Sequence, residues 1–485
     1  MRRQVVGLCL LALTASVLAR TPAEAAAPPV TDPASPYVAA FDAQLPGFAP
    51  WDSTKGVTEA SLRATFHKEY VSGVRWAYSW VPWSAVEKTR GSYTFTDLDT
   101  YVKAARAEGI LLRLQVTTGD WSYPQPWGVP LRQNTAHPGV NVPGVDLQPA
   151  VDYWAALVSR YRIGGTLSHE QGWKDGYGVS RWELENEPAC IAWWGSWGRI
   201  PKDYAEFTAR VSRRVRAIDP HVELSGPALS NTDGDCAQGG LDGYNFLRQT
   251  LSAQQSEWES DTYRAAKEHP AIGPYLDAFS WHFDNVNLQD GSVPGRAKNL
   301  RTLIDSFATQ RTYPSRKGTP LWYSEGSALG YNTDNAKFAT AQVQLMTLLL
   351  AAGVQTMNLE PGTQINGDTW PTTPMYGAQR TLARFLPRAG EVVTDRTVDP
   401  TRVTGFLRTD PRNGRRTRIL WAQDLVQNSK TAGPDFTVLV PVRTATVTVV
   451  SSSDWTAHVV TAHHGTITVT LHADDPSPVV FVADR

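Results

Sequence analysis

The chain has 485 residues, 41% of them hydrophobic and 19% charged, with a formal net charge of −1. That composition excludes a disordered chain and supplies enough apolar material for a large domain plus a smaller one. Lys and Arg are scattered rather than clustered, so neither nucleic acid nor an anionic membrane surface is an expected partner.

Residues 1–25 read as a secretory signal peptide. Arg2 and Arg3 precede an apolar run over 5–18, and Ala23-Glu24-Ala25 fits a small-x-small cleavage site. A secreted, extracellular protein is therefore expected. No later apolar run is long enough to span a bilayer, so no membrane partner is expected after cleavage. Residues 26–36 are rich in Pro and Ala and read as a leader.

From 37 to 392, short apolar runs alternate with longer amphipathic ones. Strands are predicted at 37–41, 71–80, 110–116, a run ending at Glu187, 221–226, 276–282, 320–325 and 354–359. Helices are predicted between them, including one capped by Thr96, and others at 151–162, 204–218 and 336–352. This alternation implies parallel strands with crossover helices. Eight such units predict an α/β fold of the (β/α)8 TIM-barrel type. The rival open doubly wound sheet lacks its usual Gly-rich turn here. From 393 to 485 the texture changes to short Val- and Thr-rich runs separated by Gly, Pro, Asn and Asp. That pattern predicts a C-terminal antiparallel β-sandwich.

Two short apolar-aromatic runs end on carboxylates. They are Trp182-Glu183-Leu184-Glu185-Asn186-Glu187-Pro188 and Leu321-Trp322-Tyr323-Ser324-Glu325. In a barrel of this kind the C-terminal strand ends form the active face. Two carboxylates on that face suit cleavage of a glycosidic bond, one as proton donor and one as nucleophile or base. The 18 Trp and 17 Tyr suit sugar stacking or core filling equally well.

The first run resembles the Asn-Glu-Pro motif on strand four of clan A glycoside hydrolases. The stretches Val81-Pro82-Trp83-Ser84-Ala85-Val86-Glu87, Gly91-Ser92-Tyr93-Thr94-Phe95, Leu98-Asp99 and Gly109-Ile110 are most similar to glycoside hydrolase family 39, the β-xylosidase and α-L-iduronidase group. The resemblance implies Glu187 as acid/base, Glu325 as nucleophile, and Asn186 on the sugar 2-hydroxyl. It also implies His282 near the nucleophile and Arg75 as the strand-two arginine, with a retaining double displacement on an oligo- or polysaccharide.

Two positions depart from the family pattern. Glu185 stands where Trp is common before the Asn. Met357-Asn358-Leu359-Glu360-Pro361 stands where strand eight usually ends on Trp.

Glu183 and Glu185 would share the Glu187 face of a regular strand and are read as supporting partners. Asn358 and Glu360 are candidate substrate contacts, as are Trp121 and Trp194 with their neighbours Tyr123, Trp193 and Trp197; packing is the competing role. Arg75 either serves the site or neutralises buried carboxylates. Cys190 and Cys236 fall in loops after neighbouring strands and are expected to form a disulfide. No metal and no cofactor is expected, since no His/Cys/carboxylate cluster has ligand spacing. The alternatives are a non-catalytic polysaccharide-binding protein and a transglycosylase with the same residues.

Overall fold

The structure, a computed structural model, describes residues 35–39, 58–118, 147–189, 200–229, 242–252, 275–282, 292–307, 318–325, 334–359, 369–388, 392–411, 413–423, 435–474 and 476–485. Among these, eight parallel strands close into a barrel in chain order. They are β1 (Tyr37–Ala39), β2 (Trp76–Pro82), β3 (Leu111–Thr117), β4 (Arg181–Leu184), β5 (Glu223–Leu229), β6 (Ala278–His282), β7 (Leu321–Glu325) and β8 (Thr356–Leu359). Strand β1 pairs with both β2 and β8, which closes the ring.

A helix follows each strand. They are α1 (Glu59–Ser72), α2 (Thr96–Ala107), α3 (Gln148–Tyr161), α4 (Ile200–Ile218), α5 (Gly243–Leu251), α6 (Ser292–Phe307), α7 (Asn335–Ala351) and α8 (Pro374–Phe385). The architecture is the (β/α)8 barrel that the alternating runs predict.

Helix α1 was not anticipated, although its signals are local. Thr58 and Ser61 form a reciprocal capping box, and Gly73 ends the helix in the left-handed conformation at φ 100°. Val71 and Ser72 therefore belong to α1, and β2 starts at Trp76 rather than at 71. Thr96 likewise opens α2 from inside its first turn, with Phe95 at the capping position.

Strand alternation decides which side chains enter the barrel. Trp182 turns outward onto Trp154 of α3, ring centroids 6.1 Å apart. Its neighbours on β4 accordingly turn inward. At the N-terminal end of the barrel Arg181 lies 4.0 Å over the Trp76 ring and 5.4 Å from that of Trp322. One level up, Arg113 and Gln115 of β3 are fully buried, and the Tyr78 hydroxyl of β2 donates to the Gln115 carbonyl oxygen.

The C-terminal region forms two antiparallel sheets. Strands β9 (Val392–Thr394), β10 (Val403–Thr409), β11 (Arg416–Ala422), β13 (Thr446–Ser451), β14 (Ala457–Thr461) and β16 (Val480–Asp484) make six strands in the order β14-β13-β16-β11-β10-β9. Strands β12 (Phe436–Pro441) and β15 (Thr466–Leu471) make the second sheet. Val440, Ile467 and Leu471 pack against Leu420, Val447 and Val482 between the sheets. The outer face of the larger sheet joins the barrel core through Phe406, Trp421 and Phe481.

Phe481 stacks on Phe385 of α8 at 5.7 Å. Gln344 of α7 donates to the Ser477 carbonyl at 2.7 Å, and Thr340 donates to the Ser452 hydroxyl at 3.0 Å. Helix α7 is buried nearly all round because barrel and sandwich cover opposite sides of it. At Gly377 of α8 an added Cβ would lie 2.4 Å from Trp455 Cγ, so the close seating of Trp455 requires glycine there.

Candidate active site

Regular geometry on β4 stops at Leu184. Glu185 adopts φ 68° and Glu187 φ 44°, both in the left-handed region. For residues with a Cβ this conformation costs about 1–2 kcal/mol each, and such strain clusters at functional sites.

The surrounding elements hold the turn from three sides. The Glu185 N–H donates to the Val116 carbonyl of β3 at 3.0 Å, and the Glu187 N–H donates to the Ala228 carbonyl of β5 at 3.1 Å. Beneath it, the Tyr204 hydroxyl of α4 donates to the Leu184 carbonyl at 3.1 Å. A Cβ at position 226 would lie 2.5 Å from that hydroxyl, so Gly226 on β5 is what lets Tyr204 reach β4. Burial pushes the Tyr204 hydroxyl far above its usual range, with the charges of Glu185 and Glu183 acting in the same direction. Tyr204 thus stays a neutral donor.

The left-handed residues overturn the expectation that Glu183, Glu185 and Glu187 share one face. Glu183 is fully buried opposite Gln115 inside the barrel, and neither of its carboxylate oxygens bonds a protein group. Glu185, 1% exposed, turns sideways to the end of β3. Its carboxylate accepts the Thr118 N–H at 3.0 and 3.1 Å and also accepts the Thr118 hydroxyl. Glu187 turns to β6, where its Oε1 lies 3.2 Å from His282 Nδ1, and its side chain is 20% exposed. Asn186 is buried, and its Oδ1 bonds no protein group.

His282 is the last residue of β6, and its register partner is Glu325, the last residue of β7. Glu187 and Glu325 thus both stand at the C-terminal end of the barrel, on either side of His282. His282 contacts the Glu187 carboxylate directly and is the register neighbour of Glu325.

Asn358 on β8 is fully buried inside the barrel. It accepts from Arg113 Nη2 at 2.5 Å and donates to the Ser324 carbonyl, to which Arg113 also donates at 3.0 Å. Arg113 and Asn358 therefore brace the peptide just before Glu325. The strand period contained the signal for Arg113: Leu112, Leu114 and Val116 alternate with Arg113, Gln115 and Thr117. Nothing in the sequence marks Thr118.

Arg75 stands apart from this group. It immediately precedes β2, at the opposite end of the barrel, where it lies over the Tyr70 ring at 4.3 Å and donates to the Tyr70 and Val74 carbonyls at 2.8 Å. The displaced start of β2 is the reason. In a strand over 71–80 Arg75 would be central, whereas in Trp76–Pro82 it lies below the first residue. Trp121, Tyr123, Trp193, Trp194, Trp197, Glu360, Cys190 and Cys236 lie outside the described residues. Among the described residues no group of three or more His, Cys, Asp or Glu is arranged to hold a metal ion.

No protein-family model and no curated protein matches the sequence. Solved structures resemble it in fold. A family 39 glycoside hydrolase from the gut symbiont Bacteroides cellulosilyticus WH2 has a TM-score of 0.58 at 13% identity, over 93% of this chain and 81% of that one. A family 30 endoxylanase from Clostridium papyrosolvens C71 has a TM-score of 0.57 at 12% identity, over 93% and 95% of the two chains. A monomeric beta-xylosidase from Caulobacter crescentus CB15 has a TM-score of 0.56 at 14% identity, over 94% and 97%. Through barrel and sandwich together, this chain is similar in fold to glycoside hydrolases of families 39 and 30.

Proposed function

We propose that the chain is a secreted retaining glycoside hydrolase, with Glu187 as acid/base and Glu325 as nucleophile. One observation carries the reading: Glu187 in its strained turn and Glu325 at the end of β7 flank His282 on the C-terminal face of the barrel. Retaining cleavage needs two carboxyl groups about 5 Å apart on that face.

In the first step the Glu325 carboxylate attacks the anomeric carbon. The glycosidic C–O bond breaks, and Glu187 gives its proton to the departing oxygen. In the second step Glu187, now a carboxylate, takes a proton from water. The water oxygen bonds to the anomeric carbon, and Glu325 leaves as a carboxylate. The bond from His282 Nδ1 to Glu187 Oε1 fixes the acid's orientation. The buried Asn186 Oδ1, which bonds no protein group, is available to a sugar hydroxyl. Glu185 is committed to Thr118, which makes it a poor candidate for touching the sugar.

The likeness to an endoxylanase and a beta-xylosidase makes β-xylosides and xylan the first substrates to screen. Export through the 1–25 signal, and a Cys190–Cys236 tether beside the acid/base loop, belong to the same proposal.

The test is a panel of chromogenic aryl glycosides and polysaccharides, followed by Glu325→Ala. Turnover by the wild type, loss in the variant, and partial rescue by azide with an inverted glycosyl azide as product are the expected results. Retention of a polysaccharide without turnover would make the chain a binding protein instead. Near-full activity in Glu325→Ala would remove the nucleophile assignment.

A further inference from the structure

We propose that Glu185 is a positioning residue for Glu187: its carboxylate, clasped to Thr118 at the end of β3, holds the left-handed turn that presents Glu187 to the cleft. The proposal rests on Glu187 being the acid/base.

Two left-handed residues in three positions are not a conformation that this sequence adopts by local preference, because both carry a Cβ. Such a turn persists only where its surroundings over-determine it. On the β5 side, among the described residues, the Glu187 N–H donates to the Ala228 carbonyl. On the β3 side both the backbone and the side chain of Glu185 are held. The Glu185 N–H is bonded to Val116, and its side chain doubles back to accept both donors of Thr118, two residues further along the same strand end.

These are bonds to a carboxylate acceptor at a site 1% exposed, the setting in which hydrogen bonds are strongest. The geometry is also selective. Reaching Thr118 requires the Glu185 side chain to leave the inward face of β4, and φ 68° is what turns it. The same rotation resets the chain so that Glu187, two residues later, points to His282. Loosening the clasp therefore moves the acid/base without touching it.

General-acid catalysis matters most when the leaving group is a poor one, and small misplacements of a catalytic group are costly. The test uses phenyl and 2,4-dinitrophenyl glycosides of whichever sugar the wild type hydrolyses fastest, comparing kcat/KM. Thr118→Val removes the hydroxyl donor and keeps the N–H. Glu185→Gln keeps the shape and removes the charge. Thr118→Ser restores both donors, and Glu187→Ala is the control for complete loss of the acid.

Both Thr118→Val and Glu185→Gln should lose about 10- to 100-fold on the phenyl glycoside and less than about 3-fold on the dinitrophenyl one. Thr118→Ser should behave as wild type. Equal losses on the two glycosides in the variants that fold, or no loss in either, would overturn the proposal. If Glu187→Ala itself shows no leaving-group dependence, the acid/base assignment fails and the positioning role falls with it. A steep dependence in Glu187→Ala alone rejects only the positioning role.

Discussion

The two ends of the barrel are built on different principles. At the N-terminal end, β2, β4 and β7 are regular, and the interior is filled by Arg181 between the rings of Trp76 and Trp322. Arg75 adds a second arginine on an aromatic ring just below. At the C-terminal end, β4 abandons regular geometry and places two side chains in the left-handed region. Buried polar atoms without a protein partner occur at both ends, Trp76 Nε1 at the N-terminal end and Glu183 Oε1 and Oε2, Gln115 Nε2 and Asn186 Oδ1 above it. One end gains stability from filled volume and cation–π contact. The other carries backbone strain at Glu185 and Glu187, of the kind that clusters where a ligand is bound and reacted.

That contrast makes graded predictions. The largest effect belongs to the C-terminal end. Glu187→Ala should lower kcat/KM on phenyl glycosides by about 1,000-fold or more while the melting temperature stays close to wild type, read by steady-state kinetics and calorimetry. A parallel collapse in stability would mean that Glu187 is structural.

The next effect belongs to the other end. Burial pushes the Glu69 carboxyl of α1 up to about 8, with Gln379 of α8 opposing the shift. An acid whose folded value lies above its unfolded one stabilises the fold at low pH. The contribution is lost as pH rises from about 4.5 to about 8 and stops changing beyond. The loss is on the order of 5 kcal/mol, and Glu69→Gln should abolish that part of the pH dependence in denaturant unfolding between pH 5 and 9. An unchanged slope in the variant would exclude Glu69 as its source.

Arg181→Ala should cost about 2 kcal/mol through lost stem packing and cation–π contact, with kcat unchanged. A fall in kcat at constant stability would link the two ends. The smallest effect compares two substitutions at one position. Glu187→Gly should be more stable than Glu187→Ala by about 1 kcal/mol, because glycine adopts φ 44° without penalty.

Much of this was legible in the sequence, and the failures have local causes. Strand and helix alternation was enough for a barrel, and the Val- and Thr-rich runs for antiparallel sheets packed beside it. The start of β2 was misread because the apolar residues of 71–80 looked continuous, while the glycine stop at Gly73 divides them between helix and strand. That one error carried Arg75 to the wrong end. Glu183, Glu185 and Glu187 were read as cofacial from their spacing, which holds only while φ stays negative. The backbone reversal at Glu185 depends on Thr118, Val116 and Tyr204, distant in sequence, and no local pattern announces it. The departure of Glu185 from the family pattern was visible, but its meaning needed the partner. Asn358, read as a candidate sugar contact, donates to the Ser324 carbonyl from inside the barrel, a partner the sequence does not announce.

The stereochemical course of hydrolysis tests the paired-carboxylate account most directly. Proton NMR of the first-formed sugar, recorded on an aryl glycoside that the wild type cleaves, reads the anomeric configuration before mutarotation. Glu187 and Glu325 acting by double displacement predict release with the configuration of the substrate retained. First release of the inverted anomer would contradict a covalent role for Glu325 and require a single displacement by water instead.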